Sequence, residues 1–226
     1  MSSSPVPLPA ADRNQLRRRL HRLHGHIAHM YLSPTGHVAV AAGYLLFNSD
    51  QALLLGFVDT NGHRAAADAV RDDYQRIRQL PRSTPVACCA HLSRLRLPAH
   101  EVARLNDARI TSAHRELREL FDDFDDFPQP ARLALFDMVF AHNGKILAPA
   151  QPPLRGSIAA GNWLAAAAHT WRPAAACSHS QRYVSRLFAQ AALYDHHQPG
   201  RARLRQGDER LRLQDAGSLR RSDGLR

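Results

Sequence analysis

The chain has 226 residues, 44% of them apolar, with 30 basic and 20 acidic side chains and a formal net charge of +10. That length and apolar content suit one domain, or one domain with a tail, and exclude a chain too polar to bury a core. The positive excess favours polyanionic surroundings such as nucleic acid, an anionic envelope or an acidic partner, without choosing among them, and no segment approaches the ~20 apolar residues that span a bilayer.

Residues Met1–Ala11 hold three serines and three prolines and are expected to be disordered or loosely packed. They lack the basic n-region and continuous apolar h-region of a secretory signal. Synthesis in the cytoplasm is expected, and any work in the periplasm or outside the cell would need another export route. Asp12 is the expected N-cap of a helix, "RNQLRRRLHRLH", with Leu16, Leu20 and Leu23 at helical spacing and Gly25 ending it. From Ala28 to Leu46 apolar residues partly alternate around "SPTG", which predicts a β-hairpin turning at Ser33–Gly36 and a small sheet of two or three strands. "DTNGH" reads as a turn and "RAAADAVRDDYQRIRQL" as a helix, after which the prolines at 81 and 85 break the chain.

"LPAHEVARLNDARITSAHRELRELFDDF" reads as one long helix, with Val102, Leu105, Ile110, Leu117 and Leu120 forming most of an apolar stripe. Its "FDDFDDF" end reads as a solvated terminus with the phenylalanines turned inwards. "PARLALFDMVFAHNG", "LRGSIAAGNWLAAAAHTW" and "SHSQRYVSRLFAQAALYD" follow as helices. From His196 to Arg226 eight arginines and four acids with few apolar anchors predict a flexible basic tail able to attract polyanions weakly. The pattern is α+β: a small N-terminal lobe containing the hairpin, a long helix, and a helical C-terminal lobe, with the domain proper spanning residues 12–195.

Cys88, Cys89 and Cys177 are odd in number and form no CxxC spacing, which favours incidental thiols of a reducing compartment over a metal site. His21, His24, His26, His29 and His37 crowd one stretch, yet no cysteine or carboxylate ligand accompanies them, so a polar, titratable wall is the better reading than a zinc site. No GxSxG or phosphate loop occurs. The arginines are not interleaved with aromatics, and no nucleic-acid-binding module is legible, so specific nucleic-acid binding is not expected. No metal or cofactor is expected either.

The stretch from His24 to Leu46, "HGHIAHMYLSPTGHVAVAAGYLL", resembles the opening of the phage-type lysozymes, the muramidase family represented by the T-even phage enzyme. Gly25, Tyr31, Gly36 and Gly43 fall on that family's beats without gaps. "LPAHEVARLNDAR" is similar to the family's interlobe helix, "ARLALFDMVFAHNG" to its buried helix, and "GNWLAAAAHTW" with "SHSQRYVSRLF" to its closing pair, with Arg182 on the family's arginine. The resemblance runs from about Asp12 to Asp195 and implies a lysozyme-like fold that places Tyr31, Phe140, His142 and Asn143 along a substrate groove.

The positions that carry the family's chemistry are changed. Its general-acid glutamate falls on His24, its second carboxylate on Ser33 and its water-orienting threonine on Ala39, and its Gly-x-Gly-His ending is Ala41-Ala42-Gly43-Tyr44. Glycoside cleavage needs an acid for the leaving oxygen and a carboxylate facing the oxocarbenium ion. No carboxylate occurs between Arg13 and Ser49. A histidine can donate a proton, but as a cation it opposes the developing positive charge. The implied protein is therefore a pseudo-muramidase that binds peptidoglycan without cutting it, or an adaptor for a protein partner. Lysozyme-like domains of phage tails and contractile secretion machines make such an origin reasonable by analogy. The alternative is an active muramidase with relocated carboxylates, for which Asp50, Asp59, Asp72, Asp73, Asp137 and the Asp122–Asp126 run are the candidates.

Overall fold

The computed structural model describes residues 7–142, 152–170 and 179–196. The N-terminal segment up to Val6, the basic tail, Asn143 and Cys177 lie outside them, as does the side chain of His142. The chain divides into two compact units, Met1–Arg115 and Glu116–Arg226. The first holds a small antiparallel sheet with helices and the second is helical in its described residues, so the protein is α+β.

Helix α1 runs Ala10–His24, starting two residues before the expected cap. Pro9 sits at the N-cap position, its ring fixing φ near the helical value, and its carbonyl accepts the Arg13 N–H at 3.0 Å. Asp12 is thus not the cap. It lies in the first turn, buried, where a negative charge suits the helix dipole. Leu16 and Leu20 are buried as the spacing requires, but Leu23, in the last turn, is 40% exposed. Gly25 closes the helix at φ 67°, with its N–H on the His21 carbonyl at 2.7 Å.

Strands β1 (Tyr31–Leu32), β2 (Val38–Val40) and β3 (Tyr44–Leu46) form a meander in the order β1-β2-β3. Tyr31 pairs with Ala39, and Val40 with Tyr44. The Ser33–Gly36 turn closes with Ser33 N–H on His37 O (2.8 Å) and Gly36 N–H on Ser33 O (2.9 Å). Helix α2 (Ser49–Leu53) is capped by the Asn48 side chain accepting the Gln51 N–H. The Asp59–His63 turn is held by the Asp59 carboxylate accepting the Asn61 and His63 N–H groups, each at 2.9 Å.

Helix α3 spans Ala67–Arg78 and α4 spans Val86–Leu92. The second of these is absent from the sequence reading, in which the flanking prolines marked only a break. Pro85 instead occupies the N-cap position of α4, and the apolar run behind it supplies the buried Cys89. The core of this unit gathers Met30, Val38, Val40, Leu46, Phe57, Tyr74, Ile77, Leu97, Val102 and Leu105 from strands and helices alike.

Helix α5 (Ala99–Leu120) contributes residues to both units. It ends before "FDDFDDF", which forms a turn and a short 3-10 helix, Phe124–Asp126. Phe121, Phe124 and Phe127 recur every three residues and are all buried, while Asp122, Asp123 and Asp126 are exposed. A 3-10 period of three residues per turn is what aligns such a series on one side. Helix α6 (Gln129–His142) packs on α9 (His179–His196), which also packs on α8 (Trp163–Thr170). Helix α7 (Pro152–Ala159) is separated from α8 at Gly161, so the stretch "LRGSIAAGNWLAAAAHTW" is two helices. Asn162 caps the second, its Oδ1 accepting the Ala165 N–H at 3.1 Å. Among the described residues, no helix is long and apolar enough to cross a membrane.

Candidate functional site

The hairpin and the segments that touch it carry the residues singled out for chemistry. His24, at the end of α1, is half-buried. Ser33 is buried in the turn, its hydroxyl 2.9 Å from the Thr35 hydroxyl and accepting the His37 N–H at 3.2 Å. It therefore works as a turn-former. Ala39 faces the core with no exposed surface. Tyr31 is also buried, and its hydroxyl donates to the Ala41 carbonyl at 3.3 Å. Burial pushes its phenol pKa up, so the neutral, donating form prevails.

The loop Ala41–Gly43 turns back on itself. Ala41 has φ 52° and Gly43 φ 86°, and the Gly43 N–H reaches the Ala41 carbonyl at 2.9 Å. Two side chains of α5 fix it from outside the hairpin. Asn106 Oδ1 accepts the Ala42 N–H at 3.1 Å, and the Arg109 guanidinium donates to the Ala42 carbonyl. The positive φ at Gly43 favours glycine, and a Cβ there would also push the end of the Arg109 side chain out of its place. Burial lowers the Arg109 pKa from its usual value, yet an arginine remains cationic. The Ala41 carbonyl and both polar groups of the Ala42 backbone are thus engaged by the protein itself.

Asn106 and Arg109 are marked in the sequence only by their position on α5. Arg109 lies seven residues after Val102 and Asn106 four after it, both on the side of α5 that carries the apolar stripe. A polar residue at such a position must find a partner when buried. The chain matches no family model, no curated protein and no solved structure.

The remaining candidates disperse. Phe140 is 5% exposed and lies 5.9 Å from the Phe136 ring, so its side chain belongs to the core of the second unit instead of lining an open groove. The five histidines occupy unlike environments. His21, His26 and His37 are exposed, and His37 meets the Phe47 ring edge-on at 5.3 Å. His29 is buried, with Nε2 3.1 Å from the Val86 carbonyl, a geometry that requires the ring to donate. Burial, chiefly, lowers its pKa, assisted by Arg96 and His91 and opposed by the Val86 hydrogen bond and by Asp73.

Two of the carboxylates proposed as replacements are buried. Asp73 accepts the Ser93 hydroxyl at 2.7 Å, the Arg94 N–H at 2.8 Å and Arg76 Nη1 at 2.7 Å, which ties α3 to the segment after α4. Asp137 is 2% exposed inside α6. Asp50, Asp72, Asp122 and Asp123 are exposed, and Asp59 is occupied in its turn.

Proposed function

We propose that this chain is a lysozyme-like domain that does not cleave glycan and acts by binding a protein partner. The observation that carries this reading is the state of the hairpin frame. Where the resemblance places an acid, a carboxylate and a water-orienting hydroxyl, the chain has a half-buried histidine, a serine bonded inside its own turn and a fully buried alanine. The adjoining loop has its Ala41 and Ala42 carbonyls and Ala42 amide engaged by Tyr31, Asn106 and Arg109. Two of the aromatic side chains that the resemblance implies for a glycan groove, Tyr31 and Phe140, are both buried. At the end of the frame and just after it, apolar side chains are exposed: Tyr44 by 39%, Phe47 by 59% and Leu54 by 81%. Such residues favour a protein surface as the partner. The resemblance points to a phage-derived or contractile-secretion setting for that partner.

The test is muropeptide release from purified sacculi, read by mass spectrometry, with a parallel pelleting assay. The expected result is neither release nor co-pelleting. A His24→Glu/Ser33→Asp/Ala39→Thr variant should be equally silent, because the third change puts a hydroxyl into the core without reaching substrate. Release above a buffer blank overturns the reading in favour of displaced carboxylates, and co-pelleting without release replaces the protein partner with peptidoglycan.

A further inference from the structure

Six of the fifteen arginines of the first unit hydrogen-bond through their side chains to the protein itself. Arg17 makes two 2.6 Å hydrogen bonds to Asp107, Arg71 reaches Asp68, Arg76 reaches Asp73 and Arg104 reaches Glu101. Arg96 and Arg109 donate to backbone carbonyls. Arg18 and Arg22 are among those that do not, and they stand one turn apart on one helix. Both are exposed on α1, as is His21 between them, and none of the three side chains makes a hydrogen bond or ion pair among the described residues. The only acid of α1, Asp12, is buried, six residues before Arg18 and ten before Arg22. At 1.5 Å per residue that is about 9 and 15 Å along the axis.

Arg18 and Arg22 are four residues apart, so they stand about 6 Å apart along one face of the helix and repel each other. The helix dipole compensates Arg22, which lies in the last turn, more than Arg18, one turn earlier. The arrangement thus costs stability in the free protein and gains it when a partner neutralises the pair.

We infer that the outer face of α1 at Arg18, His21 and Arg22 docks an acidic protein segment presenting two carboxylates about 6 Å apart. Glutamates four apart on a helix, or two apart on a strand, have this spacing. Each guanidinium can then take a carboxylate through two parallel hydrogen bonds. Nucleic acid fits less well. Its binding is driven by releasing counterions from many phosphates, and this face offers two arginines on a helix that contains no Phe, Trp or Tyr. The inference rests on the protein-binding reading only for the class of partner.

The test is fluorescence anisotropy of the full chain with a short alanine-based peptide carrying glutamate at every fourth position, its glutamine counterpart, and a short DNA duplex. The wild type should prefer the glutamate peptide to both others. Arg18→Glu/Arg22→Glu should weaken that binding by about tenfold or more, while Arg78→Glu/Arg82→Glu, an equal change in net charge at two other exposed arginines, should weaken it less than about twofold. Circular dichroism melting verifies that each variant is folded, and the basic tail is common to all of them. Equal weakening by both pairs reduces the effect to net charge and overturns the proposal. So does tighter binding of the duplex, or no binding at all. An enzyme that released muropeptides would still show the α1-dependent binding, so this proposal and the non-catalytic reading fail separately.

Discussion

Residues Met1–Arg115 carry fifteen arginines against eight acidic residues, whereas residues 116–196 carry seven basic side chains against eight acidic ones. Their packing differs in the same sense. In the second region the rings of Phe121, Phe124, Phe127, Phe136, Phe140, Trp163 and Phe188 form a continuous series with neighbouring centroids 5.1–6.2 Å apart. In the first, remote segments are joined by directional polar ties: Asn106 and Arg109 to the Ala42 backbone, Asp73 to Ser93 and Arg94, and His29 to Val86. The second region has polar ties as well, Arg118 to Asp125 and Ser185 to the Ala167 carbonyl, each at 3.1 Å, but what sets it apart is the aromatic series, and what sets the first apart is the long reach of its polar ties.

The comparison can be broken most sharply in the aromatic region. Trp163 is 2% exposed, stacks parallel to Phe188 at 6.2 Å and meets Phe127 edge-on at 5.1 Å. Trp163→Ala should cost about 3–5 kcal/mol. Hydrogen exchange should show this as lost protection of amides in α8 and α9.

A smaller effect is expected at the clamp. Gly43→Ala places a side chain at positive φ and against Arg109, for about 2 kcal/mol of destabilisation in urea unfolding. In an Arg109→Met background the overlap with the guanidinium is removed, and the penalty for Gly43→Ala should fall towards about 1 kcal/mol. Equal penalties in the two backgrounds would mean that Arg109 does not set the loop.

The smallest effect tests the polar character of the first region through pH. The folded state lowers the His29 pKa below its usual value near 6.5, so the native protein binds fewer protons at this site than the unfolded chain. This contribution to stability is present above about pH 6.5 and is lost as pH falls through the folded-state value. His29→Gln keeps an N–H for the Val86 carbonyl and removes the titration. The urea midpoint of this variant should fall less between pH 7 and pH 5 than that of the wild type.

How much of this was legible in the sequence depended on distance along the chain. Gly25, the Ser33–Gly36 turn and the inward phenylalanines of "FDDFDDF" were readable because each is decided within a few residues, by backbone freedom or by apolar spacing. The α1 cap was misread because Asp12 has the right chemistry, but Pro9 already fixes the backbone upstream. Helix α4 was missed because prolines both end one element and begin the next. The resemblance places Phe140 along a groove, whereas its side chain is buried against Phe136. The clamp was out of reach for a different reason. Its partners are separated by 64 and 67 residues, and no local pattern pairs an arginine with a particular carbonyl.

That same separation has a consequence for how the protein is made. A growing chain acquires its hairpin strands early, but both polar groups of the Ala42 backbone lack their partners until Asn106 and Arg109 have been added, 64 and 67 residues later. At about 5–20 residues per second, the ribosome needs roughly 3–13 s to reach that point. The hairpin therefore waits, half-specified, with apolar Tyr44 and Phe47 beside an unfastened turn, and the arrival of α5 is the event that completes it.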